Sequence, residues 1–153
     1  MNNKIIESLI YITQRSPTNT RRKLYQLLYL ADIHHLSKYG RFVTGDEYMA
    51  TKDGSVPIQI QKLVEQYDEE SFFNGLLIGL TPYLDEFSDS DIECLDYILE
   101  KYGNESDEML KNLTCNAAWR VTAAGSEIKL RDIITMLPNK EELLDYLQHE
   151  GQI

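Results

Sequence analysis

The feature that most constrains the fold of this chain is a regular spacing of residues between Leu24 and His35. The residues concerned recur at intervals of three and four, and they are Leu24, Leu27, Leu28, Ala31 and His35. This spacing places them on one face of an α-helix. Gly40 follows, and glycine readily adopts the left-handed conformation that ends many helices. The sequence therefore predicts a long helix that packs one face against a core, with Thr18 and Asn19 as its expected N-caps and Gly40 as its end.

Shorter amphipathic segments on both sides of this helix predict further helices. One lies before Pro17, and others start near Pro57, Ser88 and Ser106. Two more are predicted by the apolar residues between 128 and 137 and by the leucines at 143, 144 and 147. The spacing of Ser88 and Asp91 is that of a capping box, which fixes the first turn of a helix. These patterns give about seven helices.

Two stretches lack the helical pattern and indicate β-structure. Glycines at 45 and 54 interrupt residues 41–57, which favours a short hairpin or an ordered loop. Between Phe72 and Leu84 the apolar residues have no helical phase, and Gly75, Gly79 and Pro82 favour a strand or hairpin. We therefore expect a mostly α (α+β) fold with a small β-hairpin element between residues 41 and 84.

The size and charge of the chain limit its organisation and its partners. With 153 residues, 42% of them hydrophobic, and no repeat or linker, we expect one compact domain over residues 1–153. The formal net charge of -10 disfavours nucleic acid and anionic membranes as partners. The charge is uneven: residues 1–45 carry +5 and the remainder -15, and the densest acidic segment is 85–108. That segment is interpreted either as a solvated helix face or as a surface that steers a basic protein partner.

No motif of catalysis or of metal or cofactor binding is present in the sequence. His34, His35 and His149 lack metal-ligand spacing, and Cys94 and Cys115 are not paired as in a zinc site. The glycines form neither a phosphate-binding loop nor a nucleophile elbow. We therefore expect no metal, no cofactor and no enzymatic activity, and His35 in the core or at its edge. The absence of a long apolar run and of a leader segment predicts a cytoplasmic protein.

The most specific text of the sequence runs from Leu24 to Pro57. It contains Leu27-Leu28-Tyr29, Tyr39-Gly40-Arg41, Thr44-Gly45-Asp46, Tyr48 and Gly54-Ser55-Val56-Pro57, and a second block offers Ser106, Leu110, Leu113, Thr114, Cys115 and Trp119. This pattern resembles the Panacea, or SocA-like, antitoxin domain family of bacteria and phages over about residues 20–122. Ser55 replaces a proline of the family pattern, and Cys115 stands where a histidine is common.

The resemblance implies a small, mostly helical protein that neutralises a toxin by direct binding, the toxin being encoded in the adjacent gene. The expected partner-binding residues are Tyr39, Arg41, Asp46 and Tyr48, because exposed Tyr and Arg are favoured at protein interfaces. An alternative for Arg41 and Asp46 is that they only brace the loop. Alternative functions are a protease adaptor that presents a bound toxin or client for degradation and a phage or host interaction protein of the same fold. A DNA-binding role has only one small basic patch, near residues 15–23, in its favour.

Overall fold

The structure of the chain is a computed structural model, and it describes residues 3–16, 20–73 and 80–153. In chain order the elements are α1 (Asn3–Arg15), α2 (Arg21–Tyr39), β1 (Tyr48–Thr51), β2 (Gly54–Pro57), α3 (Ile58–Val64), α4 (Glu69–Ser71), a 3₁₀ turn (Leu84–Glu86), α5 (Asp89–Tyr102), α6 (Asp107–Thr114), α7 (Ala117–Arg120), α8 (Leu130–Thr135) and α9 (Lys140–His149). The expected mostly α fold with a small hairpin is confirmed. The nine α-helices of these residues exceed the expected seven because α4 and α7 are single turns.

Helix α2 is the central element of the fold. It contacts α1, α5, α6 and β2, and Tyr25, Tyr29 and Asp32 are buried in addition to the predicted face. The side chain of Thr20 caps its first turn by accepting from the Lys23 N–H; Pro17, Thr18 and Asn19 lie outside the described residues. At the other end Gly40 adopts the left-handed conformation with φ of 79°, as predicted. The chain therefore leaves α2 in a direction that only glycine adopts readily.

The buried apolar side chains of the described residues form two clusters, and α2 contributes to both. The first cluster joins α1, α3, α5 and α6 to the N-terminal half of α2. The second joins β1, α7, α8 and α9 to α2 through Tyr29 and Leu36. Because one helix belongs to both clusters, its position fixes the elements on either side.

The β-hairpin lies on the second cluster and is extended by a later segment of the chain. Strand β1 pairs antiparallel with β2, with Tyr48 opposite Pro57 and Thr51 opposite Gly54. On its other edge β1 bonds to residues 125–128: the Ile128 N–H donates to the Tyr48 carbonyl (2.7 Å). The hairpin edge that would otherwise be open is thus covered within the chain.

Local signals in the sequence were accurate at the helix ends and less so between residues 72 and 84. The capping box of Ser88 and Asp91 is present, and Ser106 caps α6. The strand expected between Phe72 and Leu84 is not found in its described part: Phe72 and Phe73 continue a helical turn, and the 3₁₀ turn begins at Leu84. Residues 74–79, including Gly75 and Gly79, lie outside the described residues. None of the described helices is both long and apolar enough to span a bilayer.

Candidate partner-binding surface

The residues singled out by the sequence lie in or beside the loop of residues 40–47, which joins α2 to β1. This loop is held in place by Asp32, a fully buried carboxylate on α2. Asp32 accepts hydrogen bonds from the Val43 N–H (2.7 Å), the Thr44 N–H (3.0 Å), the Thr44 hydroxyl (2.6 Å) and the Tyr48 hydroxyl (2.6 Å). Burial raises the pKa of Asp32 from 3.8 to about 6, and these hydrogen bonds oppose the rise. Sequence reasoning missed Asp32, although an acidic residue within a predicted apolar helix was the available signal.

Asp46 is a structural brace of the same loop. Its side chain is 2% exposed, so the expectation that it is exposed is wrong, and a part in partner binding stays a prediction. The carboxylate accepts from the backbone N–H groups of Glu47 (2.7 Å), Gln59 (3.0 Å) and Ile60 (3.0 Å). Burial raises the pKa of Asp46, and these hydrogen bonds act in the opposite direction. Asp46 therefore caps the start of α3, where Pro57 provides no side-chain cap.

Tyr48 is buried as well, with 1% of its surface exposed, so the expectation that it is an exposed tyrosine is wrong. Its ring packs edge to face against Tyr29 at 4.9 Å and Phe42 at 5.8 Å. Its hydroxyl donates to Asp32, and burial raises its pKa well above 10. Strand β1 alternates its side chains, and Tyr48 and Ala50 point into the second cluster.

Arg41 joins the loop to α5 while remaining partly exposed. Its guanidinium donates to the Asp91 carboxylate (2.9 Å), the Ser88 hydroxyl (3.1 Å) and the Phe42 carbonyl (2.9 Å). The side chain is nevertheless 46% exposed, which leaves surface for a contact. The bracing role considered for Arg41 is thus present in the structure, and a partner contact by its exposed part stays a prediction.

The acceptor of Arg41, Asp91, is a buried carboxylate at the centre of a charged group whose cations are partly exposed. It also accepts from Lys4 Nζ (2.6 Å) and the Ser88 N–H (2.9 Å), and His35 Nε2 lies 3.3 Å away. Burial acts to raise the pKa of Asp91, but the hydrogen bonds from Lys4, Arg41 and Ser88 outweigh it and lower the pKa from 3.8 to about 2. Asp91 is therefore ionised at neutral pH and holds α1, α5 and the loop together.

His35 is buried next to this group, as the sequence predicted. Its Nδ1 lies 2.8 Å from the Arg41 carbonyl, which only accepts, so Nδ1 carries the proton. Its Nε2 then accepts from the Ser90 hydroxyl at 2.9 Å. Burial lowers the pKa of His35, which favours the neutral ring. Within residues 3–16, 20–73 and 80–153, no cluster of three or more His, Cys, Asp or Glu side chains is arranged to hold a metal ion.

The exposed part of this region consists of Tyr39 and the rim of a cleft. Tyr39 is 42% exposed and its ring lies over His35, with the centroids 4.7 Å apart. The cleft, of about 580 Å³, lies between the 40–47 loop, residues 127–128 and helices α8 and α9. Of the four residues predicted to bind a partner, Arg41, Asp46 and Tyr48 line this cleft and Tyr39 does not. The structure thus places the four in one region but exposes only Tyr39 and Arg41.

The two blocks of the family pattern are far apart in sequence but pack against each other. The Ser55 hydroxyl donates to the Thr114 carbonyl (2.9 Å), which ties β2 to the end of α6 where the family has a proline. The Trp119 indole N–H donates to the Thr51 carbonyl (2.7 Å). The second block therefore supports the hairpin at β2 and at the end of β1. Cys115 lies in this block half-buried, and burial raises the pKa of its thiol.

The chain matches a known protein family. The family model described as Antitoxin SocA-like, Panacea domain, matches residues 24–120, which is more than half of the chain and close to the expected 20–122. No curated protein and no solved structure gives a significant match. The matched range contains both blocks, the Asp32, Asp46 and Asp91 carboxylates and the hairpin. The chain belongs to the SocA-like antitoxin family with a Panacea domain.

Proposed function

We propose that this protein is an antitoxin that neutralises a cognate toxin protein by binding to it directly. The observation that carries the proposal is the family match over residues 24–120, which supports an antitoxin-type role. The same match suggests a non-catalytic role. The three buried carboxylates of the region, Asp32, Asp46 and Asp91, accept hydrogen bonds from other groups of the fold, as expected of side chains that stabilise a structure.

The proposed contact surface comprises the exposed parts of Tyr39 and Arg41 and the adjoining cleft. Tyrosine and arginine bury a large area at low entropic cost, which is why they are enriched at interaction hot spots. Asp46 and Tyr48, which are buried, contribute to binding by holding the loop in its shape. Toxin inhibition then follows from occlusion of the toxin's working surface, and the negative charge of this chain accelerates association with a basic partner.

The test is co-expression with the protein encoded by the adjacent reading frame. That protein should arrest growth alone and be tolerated together with this one, and the two should co-purify. Tyr39→Ala should weaken rescue at nearly unchanged melting temperature, whereas Tyr83→Ala is the matched control because Tyr83 is 72% exposed and lies beside α1. If the wild-type chain fails to rescue growth, the proposed function is contradicted. If both variants rescue growth equally, the proposed contact surface is contradicted.

The same assay separates direct neutralisation from a protease-adaptor role. A direct binder rescues cells that lack their ATP-dependent cytosolic proteases and leaves the amount of toxin unchanged. An adaptor loses rescue in those cells, because it acts only by delivering the toxin for degradation. Measuring toxin abundance with and without this protein in the two backgrounds therefore decides between the mechanisms.

A further inference from the structure

The cleft beside the 40–47 loop combines an apolar floor with an acidic rim. Phe42 and Leu130, which are partly exposed, contribute apolar surface to its lining, and Tyr146, which is half exposed, forms part of one wall. The buried side chains of Leu36, Ile133 and Leu147 also line it. The acidic residues at the cleft are Glu47, Glu127 and Glu150. Arg41 also lines it, but its guanidinium is bonded to Asp91. A surface of this kind suits an occupant that has both apolar and cationic groups.

The rim carboxylates have no cationic partner within the described part of the chain. None of the salt bridges there includes Glu47, Glu127 or Glu150. The other acidic residue of the lining, Asp46, is buried and occupied by backbone N–H groups. The negative charge of the rim is therefore available to a ligand.

Two of these carboxylates, Glu47 and Glu127, line the same cleft and are in side-chain contact, on backbone that is held by hydrogen bonds. Glu127 forms a bridge with Met49 across β1, and the Ile58 N–H bonds to the Glu47 carbonyl at 2.8 Å. Burial, the charge of Glu47 and a side-chain hydrogen bond with Glu47 all raise the pKa of Glu127. Two adjacent like charges repel each other, and a cation placed between them removes the repulsion. The pair thus provides a specific place for a Lys or Arg side chain.

We infer that the cleft receives a segment of the toxin that inserts apolar side chains onto the floor and a Lys or Arg side chain between Glu47 and Glu127. This inference rests on the proposed antitoxin function and identifies the part of the toxin that is bound. A bare metal ion is not the occupant, because it makes no use of the apolar floor and the described residues contain no ligand cluster for one. Charge complementarity across the cleft sets the register of the segment and raises its association rate.

The deciding variant is Glu47→Lys. It places a cation beside Glu127, so it replaces a repulsive pair with an attractive one and should keep or raise the melting temperature. The same cation repels the toxin's basic side chain, so the Kd for the protein encoded by the adjacent frame should rise about 100-fold or more, as for a hot spot. Glu47→Gln should give an intermediate effect. Tyr146→Ala should weaken binding by removing apolar wall.

The matched control is Glu108→Lys, which makes the same change of charge at an exposed position in the first turn of α6. Binding should be measured by calorimetry at two salt concentrations alongside rescue of growth. If Glu47→Lys binds within threefold of wild type, or if Glu108→Lys weakens binding equally, the cleft is not the binding site and the inference is overturned. The antitoxin function stands in both cases as long as the wild-type chain rescues growth.

Two further outcomes are distinguishable. A wild-type chain that neither binds nor neutralises the adjacent protein refutes the proposed function itself, and the inference with it. If size-exclusion chromatography of the purified protein shows a dimer that Glu47→Lys converts to a monomer, a second copy of this chain occupies the cleft, which overturns the inference of a toxin segment. A wild-type monomer that forms a complex sensitive to Glu47→Lys but insensitive to Glu108→Lys supports it.

Discussion

Replacing Asp91 with asparagine tests the central electrostatic feature of the fold. The substitution keeps the size of the side chain but removes the charge that Lys4 and Arg41 both contact, at 2.6 and 2.9 Å. One of the two oxygens becomes an NH₂ group, so at least one of the bonds from Lys4, Ser88 or Arg41 is lost whichever way the amide points. His35 Nε2, at 3.3 Å, already accepts from the Ser90 hydroxyl, so it does not replace the lost bond.

The magnitude follows from the pKa of the carboxyl. Its fall from 3.8 to about 2 means that folding stabilises the ionised side chain relative to the neutral one by about 2 kcal/mol. Lys4 and Arg41 are partly exposed, so solvent competes for them and the effect lies below the ~3–5 kcal/mol of a fully buried pair. We therefore expect Asp91→Asn to reduce the free energy of unfolding by about 2 kcal/mol at pH 7, which lowers the melting temperature by about 4–8 °C.

The dependence on pH gives the sharper test. The pKa of Asp91 is depressed in the folded state, so its stabilisation is present above 3.8 and is lost as the pH falls toward about 2. The difference in unfolding free energy between wild type and Asp91→Asn should therefore shrink below pH 4. Urea titrations followed by circular dichroism at pH values from 7 to 3 measure this difference, because the other carboxylates are shared by both proteins and cancel.

Two controls isolate the cause. Glu100→Gln makes the same chemical change at an exposed position of the same helix and should alter stability by less than about 0.5 kcal/mol. A double-mutant cycle of Asp91→Asn with Arg41→Ala should give a coupling of about 1 kcal/mol, since the two side chains are bonded directly. A loss at pH 7 no greater than that of Glu100→Gln, or a loss that stays constant as the pH is lowered, would refute the reasoning.

Three further predictions concern the loop. Asp46→Ala deprives three backbone N–H groups of their acceptor and should cost about 2 kcal/mol or more in urea unfolding; a cost under about 0.5 kcal/mol would contradict the capping role. Gly40→Ala should reduce the free energy of unfolding by about 1–2 kcal/mol, because its φ is 79° and its Cβ would lie 2.8 Å from Tyr146 Cε1. Combining it with Tyr146→Ala should remove only the part of this loss that comes from the steric clash. Tyr48→Phe removes a hydrogen bond that lowers the pKa of Asp32, so carboxyl NMR titration should place that pKa higher than in the wild type, and an unchanged value would contradict the assigned contact.

The features of this protein that depend on near neighbours follow from the sequence alone. The long helix between Leu24 and His35, its end at Gly40 and the capping box of Ser88 and Asp91 all follow from contacts within about four residues. Backbone geometry and local hydrogen bonds decide such features before any tertiary contact forms. The family pattern likewise belongs to the sequence, and it gave the fold class and the matched range.

The tertiary structure decided which of the predicted site residues face the solvent. Asp46 and Tyr48 are buried because their partners come from α3 and α2, 13 to 16 residues away, and Arg41 meets Asp91 across 50 residues. The spacing of polar residues in a loop carries no information about which distant donors close over it. The cleft, too, exists only because α9 packs beside the 40–47 loop and the end of α2. In the chain, α9 follows these segments by about one hundred residues. An aspartate or tyrosine in such a loop is a contact or a brace according to what the rest of the chain places against it.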